Sequence, residues 1–449
     1  MASPELGGGD GSSYDFHLRS LSAASRDSAA AADPASDPTS SNPRVCEMCR
    51  EAKEARDEMV ARAFPVMSKL FQRCAAAPTQ AVASTGTLLL LSRLFSTILQ
   101  FFLNFGEAVL HDADGSLKTF FRSCLSREFA DPIVAERTLE FLIANKTKIL
   151  GSFPTLIPLF YPLLLKLIAS NGEKLEKKFL EVLPLMMSAG SFLPLFLSLM
   201  DLPMLVVALE KVERSSGTLI GSSIATIQKS AAPEMLLALM DEAYTGSAIE
   251  DSSGISGSDD SSPLDLADPM FLDLLKDEND GIAAKHWISP TISSTLQAAV
   301  NSTQSDRLKQ SLEMAPRFLS LYFATALWDV NDSLLCALIP VVMSRYAAMF
   351  PDKVFSFEVR KRLSDFILAA FQRSSDIIAI LKKPITDRLG EAYDDPAKTE
   401  LALHLCWAIG EHGAGGINRT DVARELFENL ELLLYENLAT RNQDLIQWV

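Results

Sequence analysis

Cysteine, histidine and basic residues are in short supply along this chain: six Cys, five His and 41 Lys+Arg, against 57 Asp+Glu, in 449 residues. The net charge of −16 argues against a general nucleic-acid binder, because contacting phosphates requires clustered lysine and arginine. It also argues against simple electrostatic attachment to anionic lipid, so any membrane recruitment is expected through a partner or a local patch. Six cysteines spread over this length make no disulfide framework, and a reduced, cytosolic setting fits them. The N-terminus lacks the charged and apolar blocks of a signal peptide, and its aspartates argue against an organelle transit peptide.

Catalytic signatures are missing as well. There is no Gly-x-Ser-x-Gly elbow and no His-Glu-x-x-His. The glycine-rich turn Gly410 to Gly416 follows a helical pattern and runs into Ile417-Asn418, so it lacks the preceding strand and the Gly-Lys-Ser/Thr ending of a P-loop. Cys46-Glu47-Met48-Cys49 is the single Cys-x-x-Cys; structural zinc needs four ligands, and His17 and His111 are distant and form no His-x-x-x-His motif. The motif reads as a helix start carrying two free thiols. On a helix His404 and Cys406 lie about 200° apart, which separates a would-be base from its nucleophile. Glu411 shares a face with His404, but two turns away. The sequence therefore predicts no catalytic, metal-binding or cofactor-binding residues, and no enzyme.

What is abundant is apolar character: hydrophobic residues make up 48 % and mean hydropathy is +0.14. Stacked helices bury wide apolar faces and would account for the excess. The best candidate for a transmembrane segment, Thr87 to Phe105, carries Arg93, Gln100 and Asn104. One central arginine costs about 2.5–3.5 kcal/mol on the membrane-insertion scale, so a buried helix with a polar stripe is the better reading.

Residues 1–44 are rich in Ala, Ser, Asp, Pro and Gly and are expected to be a disordered tail. Helical patterns then follow one another at Arg56 to Cys74, Leu88 to Leu110, Leu117 to Phe129 and Ile133 to Lys148. Asp131-Pro132 supplies a helix start. Pro154, Pro158 and Pro162 interrupt the next apolar run, predicting a kinked entry followed by a helix over Leu163 to Ser170. Residues 246–283 are an acidic, Ser/Gly-rich insertion with a short amphipathic helix over Pro269 to Lys276 and an acidic turn after it. Helices resume at Pro290 to Val300, Arg307 to Phe323, Asn331 to Met349 and Phe357 to Phe371. Further helices are expected over Ile377 to Leu381, Pro384 to Tyr393 and Lys398 to Ile409, with a last one from Thr420 or Asp421. No period-two alternation persists, so the fold class is all-α: a HEAT- or armadillo-like α-solenoid of paired helices repeating at roughly 40 residues. Its expected divisions are an N-terminal half (45–245), the insertion (246–283), a C-terminal half (284–440) and a tail (441–449).

The most informative stretch is Leu405-Cys406-Trp407-Ala408-Ile409-Gly410-Glu411-His412. Leu401, Leu405, Ala408 and Ile409 recur at helical spacing, giving one buried face. Gly410 is expected to let another backbone come close, and Gly413, Gly415 and Gly416 to end the helix. Trp407, Gly410 and Glu411 are assigned to holding neighbouring helices together, so Gly410→Leu is expected to overpack and destabilise. The form Trp-x-x-Gly-Glu followed by a ring residue resembles a helix motif of the large adaptin trunks in vesicle-coat adaptor complexes. Segments including 139–146, 206–214, Pro233 to Tyr244 and Leu381 to Tyr393 resemble the zeta subunit of adaptor protein complex five, in its plant form. That resemblance spans about Tyr14 to Leu438.

The resemblance implies a non-catalytic scaffold subunit of an endosomal adaptor complex acting in vesicle-mediated protein transport. It implies beta, mu and sigma adaptor subunits as partners, with spatacsin and spastizin, and peripheral association with late endosomes or lysosomes through those partners. Members of that family continue beyond the equivalent of residues 441–449, so a truncated or spliced product is expected. The residues alone leave open a generic HEAT-repeat scaffold or transport receptor with other partners. Phe271-Leu272-Asp273-Leu274-Leu275 is a candidate partner-binding peptide, with Phe271, Leu272, Leu274 and Leu275 as its apolar anchors; packing back onto the helices is the competing reading. Ser258 to Ser262 has the pattern of a phosphorylation site. The denser basic spots (Lys166, Lys174, Lys177 and Lys178; Lys382, Lys383 and Arg388) read as solvated helix faces.

Overall fold

The computed structural model describes residues 43–75, 85–216, 274–279, 305–392, 396–413 and 420–440. The expected tail, most of the acidic insertion, the helix expected over Pro290 to Val300 and residues 441–449 lie outside them. Among the described residues no strand occurs, and the architecture is an all-α solenoid of stacked helices.

Local chemistry sets the helix starts. Asp131 accepts hydrogen bonds from the Ile133 and Val134 amides, both at 2.9 Å, and Pro132 follows it to open the helix α4 (Pro132–Ala144). Asn331 takes the Leu334 amide at 3.0 Å ahead of α11 (Asp332–Arg345), and Asp352 takes the Phe355 amide at 2.9 Å ahead of α12 (Lys353–Arg373). The proline series resolves into a one-turn helix (Leu156–Leu159) and then α6 (Tyr161–Asn171), with Pro162 in its first turn.

The chain divides into two compact units. One comprises residues 1–73 and 101–112; the other, residues 74–100 and 113–449. In the first, α1 (Pro43–Ala75) lays Phe64 and Phe71 against Phe102, with ring centroids 5.7 and 5.4 Å apart. Phe102 belongs to the last turns of α2 (Thr85–Phe105), and its ring lies 4.3 Å from that of His111.

The second unit takes residues 85–100 of α2 and then α3 (Ala113–Thr119), a π-helical turn (Phe120–Leu125) and one short turn, Ser126–Glu128. It continues through α4, α5 (Lys146–Ser152), α6, α7 (Glu176–Val182), α8 (Phe192–Met200) and α9 (Leu202–Ser216). After the insertion come α10 (Asp306–Asp329), α11, α12, α13 (Lys382–Gly390), α14 (Pro396–His412) and α15 (Thr420–Thr440). α6 packs on α9, α9 on α10, α10 on α12 and α12 on α14, so this unit is a continuous stack from α6 to α14. α10, α12 and α14 start 47 and 43 residues apart, the spacing of HEAT and armadillo pairs. Aromatic contacts run through the stack: Phe179 on Phe318 at 4.8 Å, Phe192 on Tyr322 at 5.4 Å and Phe323 on Phe366 at 4.3 Å. α10 and α12 run parallel, because Ser320 meets Arg362, Phe323 meets Phe366, and Arg373 donates to the Leu327 and Val330 carbonyls at 2.5 and 2.8 Å.

The polar stripe on α2 finds a partner. Gln100 and Asn145 form a reciprocal amide pair, with hydrogen bonds of 2.9 and 2.7 Å. Among the described residues no single helix is long and apolar enough to cross a membrane. The pair Phe192–Met200 and Leu202–Glu210 has sufficient length and apolarity together, but it bends by 64°.

Gly172, just past α6, has φ +65° and ψ −148°, a region essentially confined to glycine. A Cβ there would lie 2.0 Å from Gln310 Oε1, the atom that accepts the Glu173 amide. Gly172→Ala is expected to cost roughly 1–3 kcal/mol in urea unfolding; a change of under half a kcal/mol would contradict this geometry.

Candidate functional site

The tryptophan motif lies in α14. Its buried face is the expected one: Leu401, Leu405, Ala408 and Ile409 are all buried. Cys406 is buried too, and burial pushes its thiol up to about 12, far from nucleophilic. His404 turns its Nδ1 to the Glu400 carbonyl at 2.8 Å.

The other half of the expectation is corrected. Among the described residues a Cβ on Gly410 would meet nothing within 4 Å, so none of their backbones approaches there. Gly410 and Glu411 are exposed. Trp407 is 43 % exposed, with its ring 6.1 Å from that of His412. These three residues are exposed and, among the described residues, clamp no neighbouring helix, so the overpacking expected of Gly410→Leu loses its basis. The glycine that sterics require is Gly413, whose amide donates to the Ile409 carbonyl at 2.7 Å and whose Cβ would lie 2.4 Å from that same oxygen. Gly410→Ala is accordingly expected to stabilise by up to about 1 kcal/mol, and Gly413→Ala to destabilise by roughly 1–3 kcal/mol. Thermal unfolding of the two variants checks this, and the reverse order would refute it.

Of the candidate peptide, Phe271 and Leu272 lie outside the described residues. Leu274 is half-buried and Leu275 only 2 % exposed. Leu275 and the residues after it meet Lys166, and a second expectation is corrected here: Lys166 is not on a solvated face. It is completely buried on α6, donating from Nζ to the Leu275 carbonyl and to Asp277 Oδ1, the latter at 2.6 Å. Burial lowers its basicity, while Asp277 pulls in the opposite direction.

Beside it, Arg122 makes a fork to Glu278, Nε to Oε1 at 2.6 Å and Nη2 to Oε2 at 2.9 Å, and this hydrogen bonding raises the basicity of the guanidinium. Arg122 lies 5.8 Å from the Phe160 ring centroid, and Phe160 stacks on Phe121 at 4.6 Å. The Asn279 amide closes the contact by donating to the Leu159 carbonyl at 2.6 Å. Composition gave a signal for the acidic side of this contact; the receiving side, Arg122 with Phe160, had none. The remaining basic spots are surface features. Lys178 pairs with Glu136 and Glu140 at 2.6 and 2.8 Å, Lys382 with Glu425, and Arg388 with Glu391 at 2.7 Å, while Lys174, Lys177 and Lys383 are exposed.

Of the Cys-x-x-Cys pair, Cys49 is free and exposed. Among the described residues no group of three or more His, Cys, Asp or Glu side chains is placed to hold a metal ion. The stack of long helices, with its contacts made by side-chain docking, defines a helical-repeat scaffold. Two family models match it: one described as an AP-5 complex subunit in vesicle trafficking, over residues 43–166, and one described as the C-terminal TPR repeats of AP-5 complex subunit zeta-1, over residues 264–448. The chain belongs to the AP-5 zeta subunit family. Its helix spacing of 47 and 43 residues is nevertheless longer than the 34 of a tetratricopeptide unit. The chain is similar to AP-5 complex subunit zeta-1 of Mus musculus, 24 % identical over 352 residues, which is 78 % of this chain and 40 % of that one. It is likewise 24 % identical to the Homo sapiens protein of the same name over 347 residues, 77 % of this chain and 39 % of that one. The chain thus spans about two fifths of the length of these relatives. No solved structure matches it significantly.

Proposed function

We propose that this chain is a non-catalytic scaffold of the zeta type in an endosomal adaptor complex, acting in vesicle-mediated protein transport. The observation that carries the reading is the match of residues 43–166 to a model of an AP-5 complex subunit and of residues 264–448 to one of AP-5 complex subunit zeta-1. The mechanism is binding over an extended surface: stacked helix pairs offer long faces along which a second subunit lies, with no reacting centre. Trp328 at 87 % exposure, with Phe427 and Tyr435 at 67 and 62 %, supplies aromatic anchors of the kind that dominate such contacts.

The partners in this reading are the beta, mu and sigma subunits of the same complex, with spatacsin and spastizin beyond them. Attachment to late endosomes or lysosomes is peripheral and runs through those partners, on the cytoplasmic side. The test is co-purification of the tagged chain from its own cells, followed by mass spectrometry. Recovery of beta, mu and sigma subunits is expected. Recovery of transport factors of another class, or of no adaptor subunit from soluble folded protein, would overturn the reading in favour of a generic helical scaffold.

A further inference from the structure

The segment 275–279 is held by the helical stack in the way a bound peptide is held. Both hydrogen bonds of the fully buried Lys166 go to it, one to a main-chain carbonyl and one to a carboxylate. Arg122 grips the next side chain with two parallel N–H donors, and the main-chain N–H of Asn279 returns a bond to Leu159. Leu275 itself is buried, only 2 % exposed. The contact therefore reads an order of groups: a buried leucine with its carbonyl, an aspartate two residues on, a glutamate next, and a main-chain donor after that. A phosphate or a lipid headgroup offers neither the leucine nor the N–H. Arg122 projects from the π-helical turn Phe120–Leu125, a distortion that widens one helical turn and recurs at functional sites.

The segment also lies far along the chain from what it binds, 109 to 156 residues from Lys166 and Arg122. The base of the insertion is closed separately, by Arg307 forked onto Glu213 and by Ser305 bonded to Glu210. The stack between α9 and α10 is thus fastened without help from residues 275–279. That leaves the Lys166 contact free to exchange without opening the stack.

We propose that Arg122, Phe160 and Lys166 form a binding site for an acidic peptide, that residues 275–279 occupy it in cis, and that a peptide of the same order of groups exchanges with them in trans. A ligand tied to its own receptor competes at an effective concentration on the order of mM. The cis segment therefore sets a threshold that a partner's peptide must exceed. This inference does not depend on which complex the chain joins.

The probe is a fluorescein-labelled peptide of residues 271–281, titrated into the full chain. The wild-type chain is expected to bind it weakly. A chain carrying Asp277→Asn with Glu278→Gln has lost its cis ligand's charges and keeps the receptor, so it is expected to bind at least tenfold more tightly. Adding Arg122→Glu to that chain is expected to abolish binding. A folded Asp277→Asn/Glu278→Gln chain with no gain in affinity would overturn the proposal, as would equal binding of a scrambled peptide of the same charge. Hydrogen exchange on the wild-type chain needs no variant: saturating peptide is expected to speed exchange of the Asn279 amide. An unchanged rate would identify the contact as a permanent joint and overturn exchange.

Discussion

Replacing Arg345 with methionine is expected to cost about 3–5 kcal/mol, because it strands Asp201 in the interior. The two side chains are 2 and 10 % exposed and pair at 2.5 Å, with a second bond at 3.2 Å. Arg345 also donates from Nε to the Ala348 carbonyl at 3.0 Å, an acceptor left unsatisfied by the substitution. Asp201 stands at the 64° bend between α8 and α9, so the pair ties that corner to the end of α11. Breaking a buried pair exposes the desolvation that pairing had offset, whereas removing both charges together avoids it. The double variant Asp201→Leu/Arg345→Met is therefore expected to recover most of the loss. Urea unfolding of the singles and the double closes the cycle. A single-variant loss below about 1 kcal/mol would show that water reaches the pair.

This pair marks where the sequence stops being legible. Features set by a few neighbouring residues were readable: the start at Asp131-Pro132, the start at Asn331, the kinked proline entry and the buried face of α14. Their chemistry is local, since a cap reaches only three residues ahead. Even so, Asp352 opens α12 four residues before the start read from Phe357. Features set by chain path were not readable. Lys166 had the pattern of a solvated lysine, and only a carboxylate 111 residues away makes its burial tolerable. Gly410 and Gly413 are both plausible sites of close approach on pattern alone, and the course of the chain after Ile409 decides for Gly413. The family was legible in the tryptophan motif and in the segments around it, although Trp407 itself turned out to face outward.

The Lys166 contact gives the second large expected effect and fixes its sign with pH. Asp277→Asn removes the carboxylate that offsets the burial of Lys166, and at pH 7 the loss is expected to be at most about 3 kcal/mol, with the free energy of releasing residues 275–279 into water as its ceiling. In the folded chain burial holds the lysine below its ordinary value of 10.5, and Asp277 raises it part of the way back. The variant therefore lowers the folded value further and leaves the unfolded one in place. Between the two values the unfolded chain binds one proton more than the folded chain, so stability rises with pH. Below both, the burial cost is paid in full; above both, it vanishes. The difference in unfolding free energy between wild type and Asp277→Asn is thus expected to shrink as pH rises from the variant's folded value to the wild type's, both below 10.5. Taking the difference cancels the other titrating groups, which the two chains share. Urea unfolding of both chains at pH 7, 8 and 9 measures it. A difference that widened with pH would mean that Asp277 is not what offsets the burial of the lysine.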